Sequence, residues 1–144
     1  MPRRSIARLL CFFLATLAWA ADWPQWRGPN RDGISLETGL LDSWPQGGPP
    51  LVWKIQGLGE GYSSPAVAGG RLYIQGQRGD EEYVMAFDVN TGKQLWRGDL
   101  PTSARSTPMT YRAPDGKQYL IISAGSHQPG GDQPLGDYLV AFTL

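Results

Sequence analysis

Beyond residue 50 the chain alternates apolar and polar positions in short runs, each broken by a step rich in glycine, proline or asparagine. A period of two belongs to half-buried extended chain, so the runs predict strands at 65–68, 71–75, 83–88 and 94–97. Gly69-Gly70, Gly79-Asp80 and Asn90-Thr91-Gly92 separate these runs and predict a four-stranded antiparallel meander with tight turns. The pattern then repeats. Trp53-Lys54 returns as Trp96-Arg97 and Ser64-Pro65 as Thr107-Pro108, each displaced by 43 residues. Tyr83-Val84-Met85-Ala86-Phe87 returns as Tyr138-Leu139-Val140-Ala141-Phe142, displaced by 55 because the second copy carries a longer loop over 128–136. That copy predicts strands at 107–112, 118–124 and 138–142, with a turn at Pro114-Asp115-Gly116.

Four short strands recurring at a period near 43 are the signature of β-propeller blades, whose sheets each bury both faces against neighbours. The expected fold class is therefore all-β, with about two four-stranded antiparallel blades over residues 51–144. Leu51-Val52-Trp53-Lys54-Ile55 carries the fourth-strand signature ahead of the first copy and is expected to close the last sheet, as where the two ends of a ring meet. Two blades leave sheet faces and edges open, so the expected partner is further copies of the chain or another propeller-containing protein. Four copies would supply eight blades and three would supply six, inside the usual range of about four to eight.

The first 50 residues divide differently. Residues 1–20 read as a signal peptide, with Arg3, Arg4 and Arg8, an apolar run over 9–19, and Ala18-Trp19-Ala20 as the cleavage pattern before Ala21. That run is about half the ~20 apolar residues a bilayer requires, so cleavage is expected, with no integral membrane span afterwards and a periplasmic or secreted location. Residues 21–50 form an N-terminal extension containing Trp23-Pro24-Gln25-Trp26-Arg27-Gly28-Pro29-Asn30-Arg31-Asp32-Gly33. Cleavage removes Cys11, the single cysteine, and with it disulfide or thiol chemistry. It also removes three of the 13 basic residues against 13 acidic ones, and the mildly acidic remainder lacks the basic stripe of a nucleic-acid binder. A hydrophobic content of 41% excludes a disordered chain.

The residues themselves assemble no catalytic or metal set. Asp80-Glu81-Glu82 lacks the alternating oxygen ligands of a calcium loop and is expected at a solvated hairpin tip, while Asn30-Arg31-Asp32-Gly33 is an ordinary turn sequence. Asp99, Asp132 and Asp137 are isolated, and no serine sits in a glycine-rich elbow. Tyr73, Tyr83, Tyr119 and Tyr138 fall on matched strands and are expected to pack.

The stretch from Ala86 to Trp96, with Asp88, Thr91, Gly92 and Trp96 at fixed spacing, resembles the A-x-D-x-x-T-G-x-x-x-W repeat of the pyrroloquinoline-quinone (PQQ) propeller superfamily. The resemblance implies that Asp88 to Gly92 turn the chain between the third and fourth strands and that Trp96 and Trp53 dock between blades. The 22–33 segment is similar to the opening of secreted bacterial PQQ-like repeat proteins, and residues 107–142 resemble the last blade of glucose-type quinoprotein dehydrogenases. In those enzymes the intervening blades supply most quinone and calcium contacts, so no cofactor is expected for the isolated chain, and PQQ with calcium only in an assembly. His127 falls where that family carries Gly-Gly-His-Gly, here Gly125-Ser126-His127-Gln128, and is the one weak catalytic candidate. Among Arg97, Arg105 and Arg112, Arg105 alone lies in a connection that could face a central channel, which makes it the weak candidate for holding PQQ carboxylates. The implied function is an exported binding or scaffolding module, with a fragment or subunit of a PQQ-dependent dehydrogenase acting on sugars or alcohols as the alternative.

Overall fold

The computed structural model describes residues 21–61, 63–125 and 136–144. The signal peptide, His127 and most of the 128–136 loop lie outside the described residues. Among the described residues there are seven strands: β1 (Ala66–Ala68), β2 (Arg71–Arg78), β3 (Glu81–Asp88), β4 (Gln94–Leu100), β5 (Met109–Arg112), β6 (Gln118–Ala124) and β7 (Tyr138–Thr143). They form one four-stranded antiparallel sheet in the order β1-β2-β3-β4 and one three-stranded sheet in the order β5-β6-β7. Two consecutive meanders of this kind are all-β propeller blades.

The first hairpin is longer than the alternation alone indicates. Gly79 turns the chain at φ +57, so the β2–β3 ladder runs out to the pair Arg78 and Glu81. β4 follows it, pairing Asp99 with Tyr83 and Leu100 with Glu82.

Side-chain alternation gives the first sheet two different faces. Tyr73, Val84 and Ala86 point one way and meet Leu120, Ile122 and Ala124 of the second sheet, forming the core between the blades. Tyr83, Met85 and Phe87 point the other way into a second cluster closed by Ile55, Leu58, Leu72 and Ile74. Burial of Tyr73, Leu120 and Ile122 to within 1% of full occlusion removes their apolar surface from water, at roughly 25 cal/mol per Å².

The second face overturns one expectation. Residues 51–55 form no strand and add nothing to the β5-β6-β7 sheet. They cover the far side of the first sheet instead, because Trp53 and Ile55 find apolar partners there and cannot also reach β7 across the inter-blade core. The chain then straps across β2: Glu60 exchanges both backbone hydrogen bonds with Gln77, and the Tyr83 hydroxyl donates to the Leu58 carbonyl.

The N-terminal extension stitches the inner edges of both blades. Trp23 exchanges two backbone hydrogen bonds with Val67 of β1, while the Pro24 carbonyl accepts from the Thr110 N–H of β5 at 2.8 Å. Gly28, at φ +79, places its backbone against the Trp23 ring, where a Cβ would sit 2.7 Å from the indole. This is the physical use of the Trp23 to Gly33 motif: a compact turn that covers strand edges which would otherwise pair with another chain.

Candidate functional site

Along the face of the first sheet that meets the second, β2 reads Tyr73, Gln75, Gln77 and β3 reads Ala86, Val84, Glu82. The same face that is apolar at one end therefore turns polar at the other, where the connection from β4 to β5 crosses above it. There β2 and β3, the strap ahead of β1 and the β4–β5 connection enclose a cavity of about 150 Å³ lined by Glu60, Gln75, Gln77, Glu82, Ser103 and Arg105, with Gly61, Gly76 and Ala104 as its small-residue walls.

Gln75 and Glu82 are each only 4% exposed. Ser103 and the Ala104 backbone N–H lie near enough to the Glu82 carboxyl to lower its pKa, yet among the described residues its Oε1 has no hydrogen-bond partner, and neither Nε2 nor Oε1 of Gln75 has one. Native interiors rarely leave such atoms unpaired, so this cluster stands out from ordinary packing. The expectation of a solvated acidic tip holds for Asp80 and Glu81, which are exposed, and fails for Glu82. In a strand, the residue one position further along faces the opposite way, and Glu82 shares the inward face of Val84.

Desolvation by burial raises the Glu82 pKa above its ordinary 4.5, against the lowering influence of its hydrogen bonds and of Arg105. The folded protein thus holds this proton to higher pH than the unfolded chain does. The associated stability is complete below pH 4.5 and is lost as pH rises through the folded-state titration. Glu82→Gln is expected to flatten that falling limb, read by urea melts taken at intervals from about pH 4 to 8. An identical slope in the variant would assign the limb to other groups.

The residues of the repeat motif meet at a second place. Asp88 Oδ1 accepts from the Thr91 N–H and hydroxyl, both at 2.8 Å, and from the Asn90 N–H, which ties the β3–β4 turn into a ring of hydrogen bonds. The Thr91 hydroxyl is the main cause of a lowered Asp88 pKa, followed by the Thr91 backbone. Gly92 takes φ +69 at the tip, and the Trp53 ring lies against it, with the indole N–H donating to the Val89 carbonyl at 3.0 Å. Trp53, Asp88, Thr91 and Gly92 thus form one constellation. Trp96 stands apart from it, on the inter-blade side, edge-on to Phe142 with ring centroids 4.8 Å apart.

The arginines separate. Arg97 pairs with Glu81 and Asp99 and lies 4.0 Å over the Tyr83 ring, and Arg112 donates to the Gly116 carbonyl. Arg105 reaches the rim of the polar cavity, where it acts on Glu82. These donors do not fit PQQ, a rigid fused-ring tricarboxylate. The cavity presents it with the unpartnered Glu82 oxygen and a second carboxylate, Glu60, against one guanidinium. Among the described residues no group of three or more His, Cys, Asp or Glu side chains is placed to hold a metal ion, and no helix is long and apolar enough to cross a membrane.

Sequence comparison supplies the wider frame. The family model described as glucose/ethanol/alcohol dehydrogenase, β-propeller domain, of the PQQ type, matches residues 45–120. The chain is 42% identical over 122 residues to the quinoprotein glucose dehydrogenase of Escherichia coli strain K12, covering 85% of this chain and 14% of that enzyme. It is 41% identical over 96 residues to quinoprotein glucose dehydrogenase A of Acinetobacter calcoaceticus, covering 67% and 11%. Against the glycerol dehydrogenase large subunit of Gluconobacter thailandicus the identity is 39% over 94 residues, covering 65% and 12%. The chain therefore spans about a seventh or less of the length of these relatives. No solved structure matches it. With over half of its residues inside one family model and its strands arranged as two consecutive blades, the chain belongs to the PQQ-type glucose/ethanol/alcohol dehydrogenase β-propeller family.

Proposed function

We propose that the chain is an exported binding and scaffolding module: two propeller blades that work inside a ring completed by copies of itself or by another propeller protein. The observation that carries this reading is the unequal state of its two matched tryptophans. Trp53 is covered by the Gly92 turn, whereas Trp96, its counterpart in the repeat, borders an open, mainly apolar groove of about 320 Å³ with Ala86, Leu95 and Leu144, edged by Arg71 and Thr143. Beside it β7 has a neighbour on one edge only among the described strands, and Leu139 on that strand is 73% exposed. An unpaired edge next to an open aromatic groove is a surface shaped for another blade.

The test is to express the whole chain with residues 1–20 in place, recover it from the periplasm, and measure its solution mass by light scattering. The expected product begins at Ala21 and is a discrete trimer or tetramer, or a stoichiometric complex with a propeller partner, that melts cooperatively. A well-folded monomer at micromolar concentration would overturn the scaffolding reading.

The second reading is a dehydrogenase segment that oxidises sugars or alcohols, supported by the activities named for its relatives. On this reading the polar cavity is not where a quinone would sit. Dye-linked oxidation by the intact assembly with added PQQ and calcium tests it, and absence of turnover would remove it.

A further inference from the structure

We propose that the polar cavity between the first sheet, its strap and the β4–β5 connection binds a small primary ammonium carrying a hydroxyl beside the nitrogen, held by the Glu82 carboxylate and the Gln75 carboxamide. This deepens the reading of the chain as a binding module, and it rests on that reading for a role but not for its geometry, since every wall of the cavity comes from one chain.

Three polar atoms define the site. Glu82 Oε1 and Gln75 Oε1 are acceptors, Gln75 Nε2 is a donor, all are buried, and none has a hydrogen-bond partner among the described residues. A ligand that satisfies them must bring N–H or O–H donors for the first two and an acceptor for the third. An ammonium supplies the donors, and a neighbouring hydroxyl oxygen supplies the acceptor. Charge selects among molecules with that pattern. Glu60 and Arg105 stand exposed at the mouth with opposite signs, so the formal charge deep in the cavity is the carboxylate of Glu82. An anion would be repelled by it, and a neutral diol would leave it only the counter-charge of Arg105 at the mouth, whereas an ammonium converts its free oxygen into a charge-assisted hydrogen bond.

Shape agrees with a compact ligand. A volume of about 150 Å³ exceeds the ~10–15 Å³ that one water requires and admits a few heavy atoms, and Gly61, Gly76 and Ala104 keep the walls free of bulk. Gln75 is fixed for the task from behind, because its backbone N–H donates to the Ser63 hydroxyl and its strand is held on both sides. Ser103 and the Ala104 backbone stand beside the Glu82 carboxyl from the β4–β5 connection.

Calorimetric titration of the full chain with ethanolammonium chloride near pH 7 tests the proposal, with ethylene glycol and tetramethylammonium as the neutral and N–H-free controls. Saturable binding of ethanolammonium alone is expected. Glu82→Gln, isosteric and uncharged, should weaken it at least tenfold, and Gln75→Glu, which adds a second carboxylate, should tighten it several-fold. A gain of affinity cannot come from misfolding, so the pair of variants separates ligand contact from structural damage. Absence of binding to a chain with a normal β-sheet dichroism spectrum, equal binding of ethylene glycol, or equal affinity in Glu82→Gln would overturn the proposal and assign the cavity to water. The solution mass, measured on the same sample, reports separately on blade assembly.

Discussion

Gly76→Ala is expected to lower stability by about 3 kcal/mol and to release the 57–61 strap from β2. A Cβ at this position would run into the carbonyl oxygen of Leu58, a backbone atom that cannot rotate away, and would stand 2.9 Å from the Tyr83 ring. Gly76 has no positive φ, so its requirement is space alone. Once the strap lifts, the Glu60–Gln77 hydrogen bonds and the Tyr83 hydroxyl bond to Leu58 go with it. Leu58 and Ile55, which close the cluster of Tyr83, Met85 and Phe87, are then exposed. Urea denaturation gives the stability loss, and amide exchange at Gln77 and Glu60 reports the release. Gly70→Ala is the control: at φ +73, with nothing within 4 Å of its Cβ, it is expected to cost only the backbone strain of about 1–2 kcal/mol. If the two variants lose equal stability, the strap is not packed as described.

Trp53→Ala is expected to cost about 3 kcal/mol, near the low end for a tryptophan because the ring is half-buried. The variant forfeits the contact with Gly92 and the indole hydrogen bond to Val89 together, leaving the β3–β4 turn uncovered. Gly92→Ala disturbs the same junction from the other side, since its Cβ would lie 2.9 Å from the Trp53 ring and the backbone is at φ +69. The double variant should therefore lose less than the sum of the single ones, by about 1 kcal/mol, as for any pair in direct contact. Strict additivity would mean that ring and turn do not touch. Trp96→Ala, which leaves this junction intact, is expected to act on the inter-blade core through Phe142.

Much of the fold is legible in local pattern. Paired runs and turn residues locate all seven strands, because period-two alternation and positive-φ glycine steps are properties of a few adjacent residues. The boundaries are less legible: β2 and β4 run on through Arg78 and Leu100 because their hairpin partners hold them, and pairing is not a local property. The destination of 51–55 could not be read either. A strand-like segment ending in tryptophan suits the edge of any open sheet, and the choice of the first blade over the second depends on the Gly92 turn and the Met85–Phe87 face lying within its reach.

The candidate site shows the same division. Asp88, Thr91 and Gly92 were recognisable together because one turn contains them. Gln75 and Glu82 are not legible as a pair, since one reads as a strand polar residue and the other lies inside the acidic run Asp80-Glu81-Glu82. Alternation from Val84 back to Glu82 was the signal present in the sequence, since it places Glu82 on the buried face. Arg105 stood out by its place in a connection, and it does border the cavity.

By itself, then, the sequence determined the all-β class, the two repeated meanders, their turns and the family to which they belong, since each depends on short-range spacing that survives in one dimension. Only the tertiary structure decided which sheet residues 51–55 cover, that the N-terminal motif joins the inner edges of both blades, and that Gln75 and Glu82 share a cavity with unpaired atoms. Those outcomes arise where segments far apart in the chain pack over one sheet, and which polar side chains are stranded beneath them depends on how those segments divide the space.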